Sequence, residues 1–307
     1  MAKVLICDPV SSAAVESMKQ AGLQVDVQKG ISKEDLLKCA GNYEAIVVRS
    51  ATKITKDVIA AAKALKVVVR GGVGVDNIDC EAAKACKVEV MNTPEASSIA
   101  VAELALGHML ALSRFIPQAT ASMKAGQWEK KKFEGMELYG KTLGLLGIGR
   151  IGREVAVRAI AFGMKVIACD PIVKQEQLPA GLAVKMVPLD TVITTSDYMS
   201  LHMPVTPETK HMLGKAQFDR MKQGVRIVNC ARGGIIDEPA LAEAIKAGKV
   251  AGAAMDVFEV EPIQKDNPLL SLEQVILTPH LGASSVEGQG RVGGEVARKL
   301  IEYFCKK

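Results

Sequence analysis

The chain has 307 residues, 49% of them apolar and 24% charged, with a formal net charge of +5. That length exceeds one ordinary domain and is enough to bury a sizeable core, so two domains are expected. The mildly basic balance lacks a long basic block with interleaved aromatics, and no charge-free apolar run reaches the roughly 18 residues of a membrane span, which argues against nucleic-acid and membrane partners and leaves small anionic ligands as the better match.

The N-terminus, MAKVLICDP, enters a strand at once and leaves no room for a cleavable signal. Strand-like runs KVLICD, LQVDV, YEAIVVRS, KVVVRGG and VEVMN then alternate with the helical patterns SSAAVESMKQAG, SKEDLLKCAG, TKDVIAAAKAL and DCEAAKAC, the signature of a parallel α/β unit. Ser32, with Asp35 three residues on, and Thr55 are expected helix N-caps. A long helical pattern from Ser98, IAVAELALGHMLALSRF, leads into a second α/β series. After Ala283 a last helix, SSVEGQGRVGGEVARKLIEYFCKK, is either solvated or returns to the first domain and makes it discontinuous. The seven cysteines form no C-x-x-C pair and sit in strands and helices, as reduced structural thiols do, so a cytoplasmic location is expected.

The second series opens with KTLGLLGIGRIGREVAVRAIAFGMKVIACD, residues 141–170, which reads as strand, glycine turn, helix, strand and terminal acid. Gly147 permits the tight turn, Gly149 lets backbone approach a pyrophosphate, and Gly152 lets helix pack on strand. The helix N-terminus then offers unpaired N–H groups and a positive dipole end to an anion, with Arg150 and Ile151 in that turn. Asp170 ends the strand KVIAC, where a carboxylate accepts hydrogen bonds from a ribose and repels a 2′-phosphate, so NAD is favoured over NADP.

The later strands SDYMSLHMP, GVRIVNCARG, GAAMDVF and QVILTPHLGA each end in residues fit for ligand contact, and in an open parallel sheet such ends converge. His280, the best placed of four histidines, is the expected general base. Glu261 is expected to orient its imidazole, and Arg232, before two glycines, offers a rigid fork for a substrate carboxylate. Each has a plainer alternative: a histidine at a loop start often caps or lies on the surface, and Arg232 could pair with Asp237. No His/Cys cluster has ligand spacing, so no metal is expected.

The N-terminal unit together with GIGRIGRE, VNCARGGIIDE, AAMDVFEVEP and TPHLGASS resembles the D-2-hydroxyacid dehydrogenase family over essentially the full length. The resemblance implies two doubly wound, parallel-sheet, Rossmann-like α/β domains with a cleft between them: residues 1–97 plus 284–307 binding substrate, and residues 98–283 binding NAD. It makes Arg232, Glu261 and His280 catalytic. Cofactor contacts are implied at Arg150, Ile151, Asp170, Cys230, Ala231, Arg232, Asp256, His280, Gly282 and Ala283, with Asp256 better suited to cofactor or structural support than to proton transfer. Val73 and Met203 stand where relatives often carry a hydroxyl beside the cofactor, so weaker or backbone-mediated contacts are expected there. RSATKIT, GVGVDNID and PQATASMKAGQWEKKKF resemble members that act on a phosphorylated acid, which implies NAD-dependent oxidation of 3-phospho-D-glycerate to 3-phosphohydroxypyruvate. Arg49 and Arg70 at strand ends are the expected phosphate ligands, with Ser50 and the Gly71–Gly74 backbone as further donors and Asn92 as an additional substrate contact. Lys130, Lys131 and Lys132 read as a solvated run, or as a cation lent to a partner's site, because the family dimerises through the NAD domain; a homodimer or a dimer of dimers is expected. The chain stops at Lys307, so serine feedback through a following regulatory domain is not expected. The alternatives are a glyoxylate or hydroxypyruvate reductase on the same scaffold, and a non-catalytic NADH sensor similar to corepressors.

Overall fold

Short runs of branched and aliphatic residues make the strands of the N-terminal sheet. In a computed structural model, which describes residues 1–305, β1 (Lys3–Ile6), β2 (Gln24–Val27), β3 (Ala45–Val48), β4 (Val67–Arg70) and β5 (Glu89–Asn92) lie in the order β2-β1-β3-β4-β5, every neighbour parallel. Parallel pairing requires crossovers, and α1 (Ser12–Gln20), α2 (Lys33–Cys39), α3 (Lys56–Ala61) and α4 (Cys80–Ala85) supply them. All of β3, AIVV, is buried because apolar clusters cover both faces of the sheet. Ser32 caps α2, its hydroxyl accepting from the Asp35 N–H at 3.1 Å. Thr55 holds the equivalent place before α3, but its hydroxyl makes no capping bond and is buried without a partner among the described residues, so extended backbone alone starts that helix.

The second series begins with α5 (Ser98–Arg114), which stops where Phe115 adopts a left-handed φ of 52°. A second helix, α6 (Ile116–Lys124), leaves at a bend of 62°. Among the described residues no single helix is long and apolar enough to cross a membrane; α5 and α6 reach that length and composition only as a bent pair, and Ala102, Ala105 and Met109 of α5 are buried in the core. There follow β6 (Thr142–Leu146), α7 (Arg150–Ala161), β7 (Lys165–Cys169), β8 (Val184–Met186), α8 (Leu189–Thr195), β9 (Tyr198–Leu201), α9 (Lys215–Arg220), β10 (Val225–Asn229), α10 (Glu238–Lys246), β11 (Val250–Met255) and β12 (Val275–Leu277). The sheet order is β12-β11-β10-β9-β6-β7-β8, again parallel throughout. The edge strand β8, missed in the sequence, is only VKM, with a lysine at its centre, too short and too polar to register as a pattern. Chain order reverses between β6 and β9, as it does between β1 and β3 in the first sheet, so each sheet has a topological switch point at the carboxyl ends of those strands, the place where open parallel sheets generally take ligands.

The last helix, α11 (Val286–Cys305), buries Val292, Val296 and Leu300 among Val4, Ile6, Val47 and Val69 of the first sheet. Contacts accordingly divide the chain into Met1–Ser98 with Ala283–Lys307, and Ile99–Gly282. Gly293 lets α11 approach α1 closely, since a Cβ there would lie 2.6 Å from Ser11 Oγ, the atom that caps α1. Gly290 on the same helix faces nothing within 4 Å. Gly290→Ala should therefore stabilise the protein by up to ~1 kcal/mol through helix propensity. Gly293→Ala should destabilise it by about 1–3 kcal/mol through overpacking that displaces the cap. Urea midpoints should rank Gly290→Ala above the parent chain and Gly293→Ala below it.

Candidate active site

The dinucleotide-type turn is built from three glycines with different constraints. Gly147 has a left-handed φ of 92°, and a Cβ on it would overlap the His202 carbonyl. A Cβ on Gly152 would overlap the Gly147 carbonyl, which is how closely α7 sits on β6. Gly149 is different, with open space beyond 4 Å around a Cβ built there. It is also the N-cap of α7 with no side-chain cap, so the first N–H groups of that 12-residue helix, beginning at Arg150 and Ile151, are not spent on a side chain. Open room beside uncapped helix donors fits a pyrophosphate. Asp170 follows β7, and its carboxylate accepts from Ile148 N–H at 2.9 Å, Ile172 N–H at 2.8 Å and Val173 N–H at 3.0 Å, pinning the glycine turn from the neighbouring strand. Met203, just beyond β9, borders the turn, with its Cβ 3.3 Å from the point where a Gly147 Cβ would stand.

Four histidines compete for the role of base, and their surroundings separate them. His108 lies buried on α5, where desolvation pushes its pKa down despite the field of Asp256. Burial pushes the His202 imidazole down to about 3, with Nε2 2.8 Å from Ser200 Oγ. His211 pairs with Glu259 at 3.0 Å. His280 keeps 38% of its side chain exposed, and its Nδ1 lies 2.8 Å from Glu261 Oε2. Desolvation raises the Glu261 pKa, but the hydrogen bond and charge of His280, the Phe258 N–H at 3.1 Å and the nearby Arg232 outweigh it and hold the carboxyl below its ordinary value. The pair is thus a carboxylate fixing Nδ1 as the protonated nitrogen, which leaves Nε2 as an acceptor.

His280 has a left-handed φ of 55°, a conformation that costs a non-glycine residue about 1–3 kcal/mol. Asp256 supplies what holds it there. The Asp256 side chain is fully buried and accepts from Thr278 Oγ1 at 2.6 Å, Leu281 N–H at 2.7 Å and Gly282 N–H at 2.8 Å, while its backbone carbonyl accepts from His280 N–H at 2.9 Å. Asp256 is therefore a support of the histidine loop. Arg232 follows β10, and its Nη1 donates to the Ala231 carbonyl at 2.6 Å. Asn229 holds that turn from both sides, Nδ2 donating to the Arg232 carbonyl at 2.9 Å and Oδ1 accepting from Ala231 N–H at 3.0 Å. Asp237, the alternative partner for Arg232, instead caps α10 through Ala240 N–H at 3.0 Å. Cys230 is buried, which together with Asp256 pushes its thiol up and leaves it inert. Two positions escaped the sequence reading. A Cβ on Gly233 would overlap the Phe258 carbonyl, and the buried Glu238 accepts from Glu259 N–H at 2.8 Å and from Asn267 Nδ2, clamping the segment that carries Glu261.

In the first unit Arg49, Arg70 and Asn92 come together, since Val48 is the register partner of Arg70 and Arg70 that of Asn92. The buried Asp8, beyond β1, accepts from Arg49 N–H at 2.5 Å, Thr52 N–H at 3.1 Å and Thr52 Oγ1 at 2.7 Å. Asn77 Nδ2 donates to the carbonyls of Arg49 at 2.8 Å and Thr52 at 2.6 Å. Arg49 Nη1 donates to Gln289 Oε1 on α11, and the buried Arg49 Nε has no partner among the described residues. Burial lowers the Arg49 pKa and Asp8 opposes that shift. Ser50 is exposed beside it. The Arg70 guanidinium lies over Gly72, where a side chain would collide with it.

The expected glycine nest needs correcting, because Gly71 N–H is spent on the Val48 carbonyl at 2.8 Å and Gly72 N–H on the Arg70 carbonyl at 3.0 Å, which leaves Val73 and Gly74 as its donors. Asn92 Nδ2 donates to the Val73 carbonyl at 2.5 Å and so holds this loop. Asp8, Asn77 and Gln289 were not singled out in the sequence; an acid ending the apolar run KVLIC was the available signal for Asp8. Lys132 lies 3.8 Å from Glu129 and over the Phe133 ring, as a solvated run does.

The family pattern for the D-isomer specific 2-hydroxyacid dehydrogenase NAD binding domain matches residues 106–282. D-3-phosphoglycerate dehydrogenase of Archaeoglobus fulgidus is 51% identical over 299 residues, covering 97% of this chain and 56% of that protein. The chain thus spans a little over half the length of such relatives. Hydroxypyruvate reductase of Thermotoga maritima is 49% identical over 303 residues, covering 98% of this chain and 97% of that protein. Among solved structures, a glyoxylate reductase from Paecilomyes thermophila superposes with a TM-score of 0.90 at 33% identity, covering 99% of this chain and 96% of that one.

A carboxyl depressed by folding keeps its native partner as pH falls through the ordinary glutamate value, about 4.3, and releases it only below, at its own lowered value. Carboxyl-carbon NMR should therefore place the Glu261 midpoint below that value, with the His280 ring signals moving in step. A Glu261 midpoint above it would show that the carboxylate is not paired as described.

Proposed function

The chain belongs to the D-isomer specific 2-hydroxyacid dehydrogenase family, and on that premise we propose that it oxidises 3-phospho-D-glycerate to 3-phosphohydroxypyruvate with NAD, the first step of phosphorylated serine synthesis. The observation that carries the reaction type is the His280–Glu261 contact of 2.8 Å at the end of β12, in the unit that also holds the dinucleotide turn. His280 Nε2 takes the proton of the C2 hydroxyl. NAD, held at the dinucleotide turn, would supply the acceptor for the hydride of the same carbon. Glu261 stabilises the imidazolium that results, and the Arg232 guanidinium binds the carboxylate and polarises the C2 oxygen. Gly147, Gly149, Arg150, Ile151 and Gly152 receive the pyrophosphate, and Asp170 the ribose. Met203, Cys230, Ala231, Gly282 and Ala283 complete the cofactor's surroundings.

Arg49 and Arg70 take the phosphate, with Ser50 and Gly74 beside them and Asn92 shaping the loop. What supports the phosphorylated substrate is the buried, unpartnered Arg49 Nε–H, a donor whose burial is costly until an anion meets it. The two working domains are the discontinuous first unit for substrate and Ile99–Gly282 for NAD. Exposed Trp128, Tyr139 and Met123, with a groove of about 540 Å³ between α6 and the Lys130–Phe133 turn, support a homodimer through the NAD unit. Seven free cysteines, with Cys7 and Cys230 buried, fit a reducing cytoplasm.

A second reading, hydroxypyruvate reductase, is favoured by the relative of that name that this chain matches from end to end. That substrate carries no phosphate and has no use for two arginines at adjacent strand ends. With purified protein and NAD, NADH should form with 3-phosphoglycerate and far more slowly with D-glycerate. Arg49→Ala and Arg70→Ala should each raise KM roughly 10- to 100-fold with little change in kcat, the loss of a charge-assisted hydrogen bond. Rapid reduction of hydroxypyruvate that survives both changes would decide for the reductase.

A further inference from the structure

Behind the catalytic loop runs a buried polar chain that the proposed mechanism does not use. His108 is 4% exposed on α5, and its Nε2 lies 3.2 Å from Thr278 Oγ1. Thr278 Oγ1 in turn lies 2.6 Å from Asp256 Oδ1, the oxygen that also accepts Leu281 N–H. The proton positions follow from the chemistry of these groups. A carboxylate oxygen only accepts, so the Thr278 hydroxyl spends its one proton on Asp256. Toward His108 the same oxygen must then accept, so the Nε2 of His108 carries the ring proton. His108 is a neutral imidazole, since burial disfavours its charged form. The bonds run one way, from His108 Nε2–H to Thr278 Oγ–H to Asp256.

We propose that His108 is a positioning residue for the dehydrogenation: through Thr278 it fixes the rotamer of Asp256, and Asp256 holds His280 in its left-handed backbone conformation. Every link lies within the unit Ile99–Gly282. The backbone gives the chain its leverage. His280 N–H donates to the carbonyls of both Asp256, at 2.9 Å, and Thr278, at 3.0 Å, so the two residues that His108 orders are the two that grip His280. Without the His108 donor, the Thr278 hydroxyl loses its fixed direction, and its bond to Asp256 Oδ1 is no longer held in place. The imidazole of His280 would then sample orientations in which Nε2 misses the hydroxyl it must deprotonate, a loss that falls on turnover more than on binding.

The role assigned to His108 rests on His280 being the base of the proposed reaction, so the test has one arm that needs no turnover. In the whole 307-residue chain, histidine Cε1–H resonances are recorded for the parent, His108→Leu, His108→Gln and Thr278→Val, alongside steady-state kinetics, NADH affinity and thermal melting. Glutamine places an N–H where Nε2 stood, and valine removes the Thr278 hydroxyl at constant shape. The expected result is a shifted or broadened His280 resonance in His108→Leu and Thr278→Val. Their kcat should fall about ten-fold, a loss the size of one hydrogen bond, with KM and NADH affinity within about two-fold. His108→Gln should restore both signals, and the double variant His108→Leu/Thr278→Val should be no worse than the poorer single one, since both break one chain. A His280 resonance unmoved in both single variants overturns the proposal, as does additive loss in the double variant. A parent chain that does not oxidise phosphoglycerate overturns the proposed substrate alone, and the His280 resonance then decides the role of His108.

Discussion

A carboxylate withdrawn from water must be met by hydrogen-bond donors, and three aspartates set just beyond strand ends, Asp8 and Asp256 buried and Asp170 half-buried, turn that demand into local loop structure. Asp8 follows β1 and gathers Arg49 N–H and Thr52 from the loop after β3. Asp170 follows β7 and gathers Ile148 N–H from the loop after β6. Asp256 follows β11 and gathers Leu281 N–H and Gly282 N–H from the loop after β12. In each case the acid belongs to one strand and the pinned loop to its hydrogen-bonded neighbour. Parallel register brings a strand's last residue level with its neighbour's loop, so an acid there is in reach of backbone N–H groups that have no ladder partner. The loops held this way carry Arg49, the dinucleotide turn and His280. Ordering them in the fold means that ligand binding need not bear that entropy cost.

The chemistry at His280 depends on the same economy. A left-handed histidine is costly, and here the cost is met by two carbonyls that accept its N–H and by an acid that fixes the two residues after it. Glu261 is prepared in a parallel way: Phe258 N–H takes one oxygen and leaves the other for the imidazole. Burial raises the Glu261 pKa, and the hydrogen bonds from His280 and Phe258 N–H, with the charges of His280 and Arg232, outweigh it and hold the carboxyl below its ordinary value. Imidazole, carboxylate and guanidinium are therefore electrostatically coupled, so removal of His280 or Arg232 alters the ionisation of Glu261.

Much of the architecture was legible because it rests on local patterns. Apolar runs of four or five residues between helical segments marked the long central strands, and the glycine spacing marked the turn after β6. His280, Glu261 and Arg232 were singled out because residue type and strand-end position pointed the same way, and the structure brings His280 and Glu261 into contact. What escaped depends on distance in space. Nothing near Gly233 signals that the Phe258 carbonyl lies against it, and nothing near Asp8 or Asn77 signals that both serve Arg49. Asp170 was read as a ribose ligand from its place in the motif, whereas its hold on Ile148 depends on the register of β6 against β7, which one strand's sequence does not encode. The glycines after Arg70 suggested free N–H donors, and pairing with the adjacent strand end removed two of them.

The return of α11 to the first sheet has a temporal side. Val292, Val296 and Leu300 complete a core begun by Val4 and Ile6, yet they are synthesised only after the whole of Ile99–Gly282. The contiguous second unit has all its strands as soon as β12 emerges, whereas the first must wait with one face of its sheet covered only in part, by α1. Folding on the ribosome thus runs against the order of the sequence, and the later-starting unit finishes first. During that interval the apolar surface that Val292, Val296 and Leu300 will cover is open to solvent and to other chains.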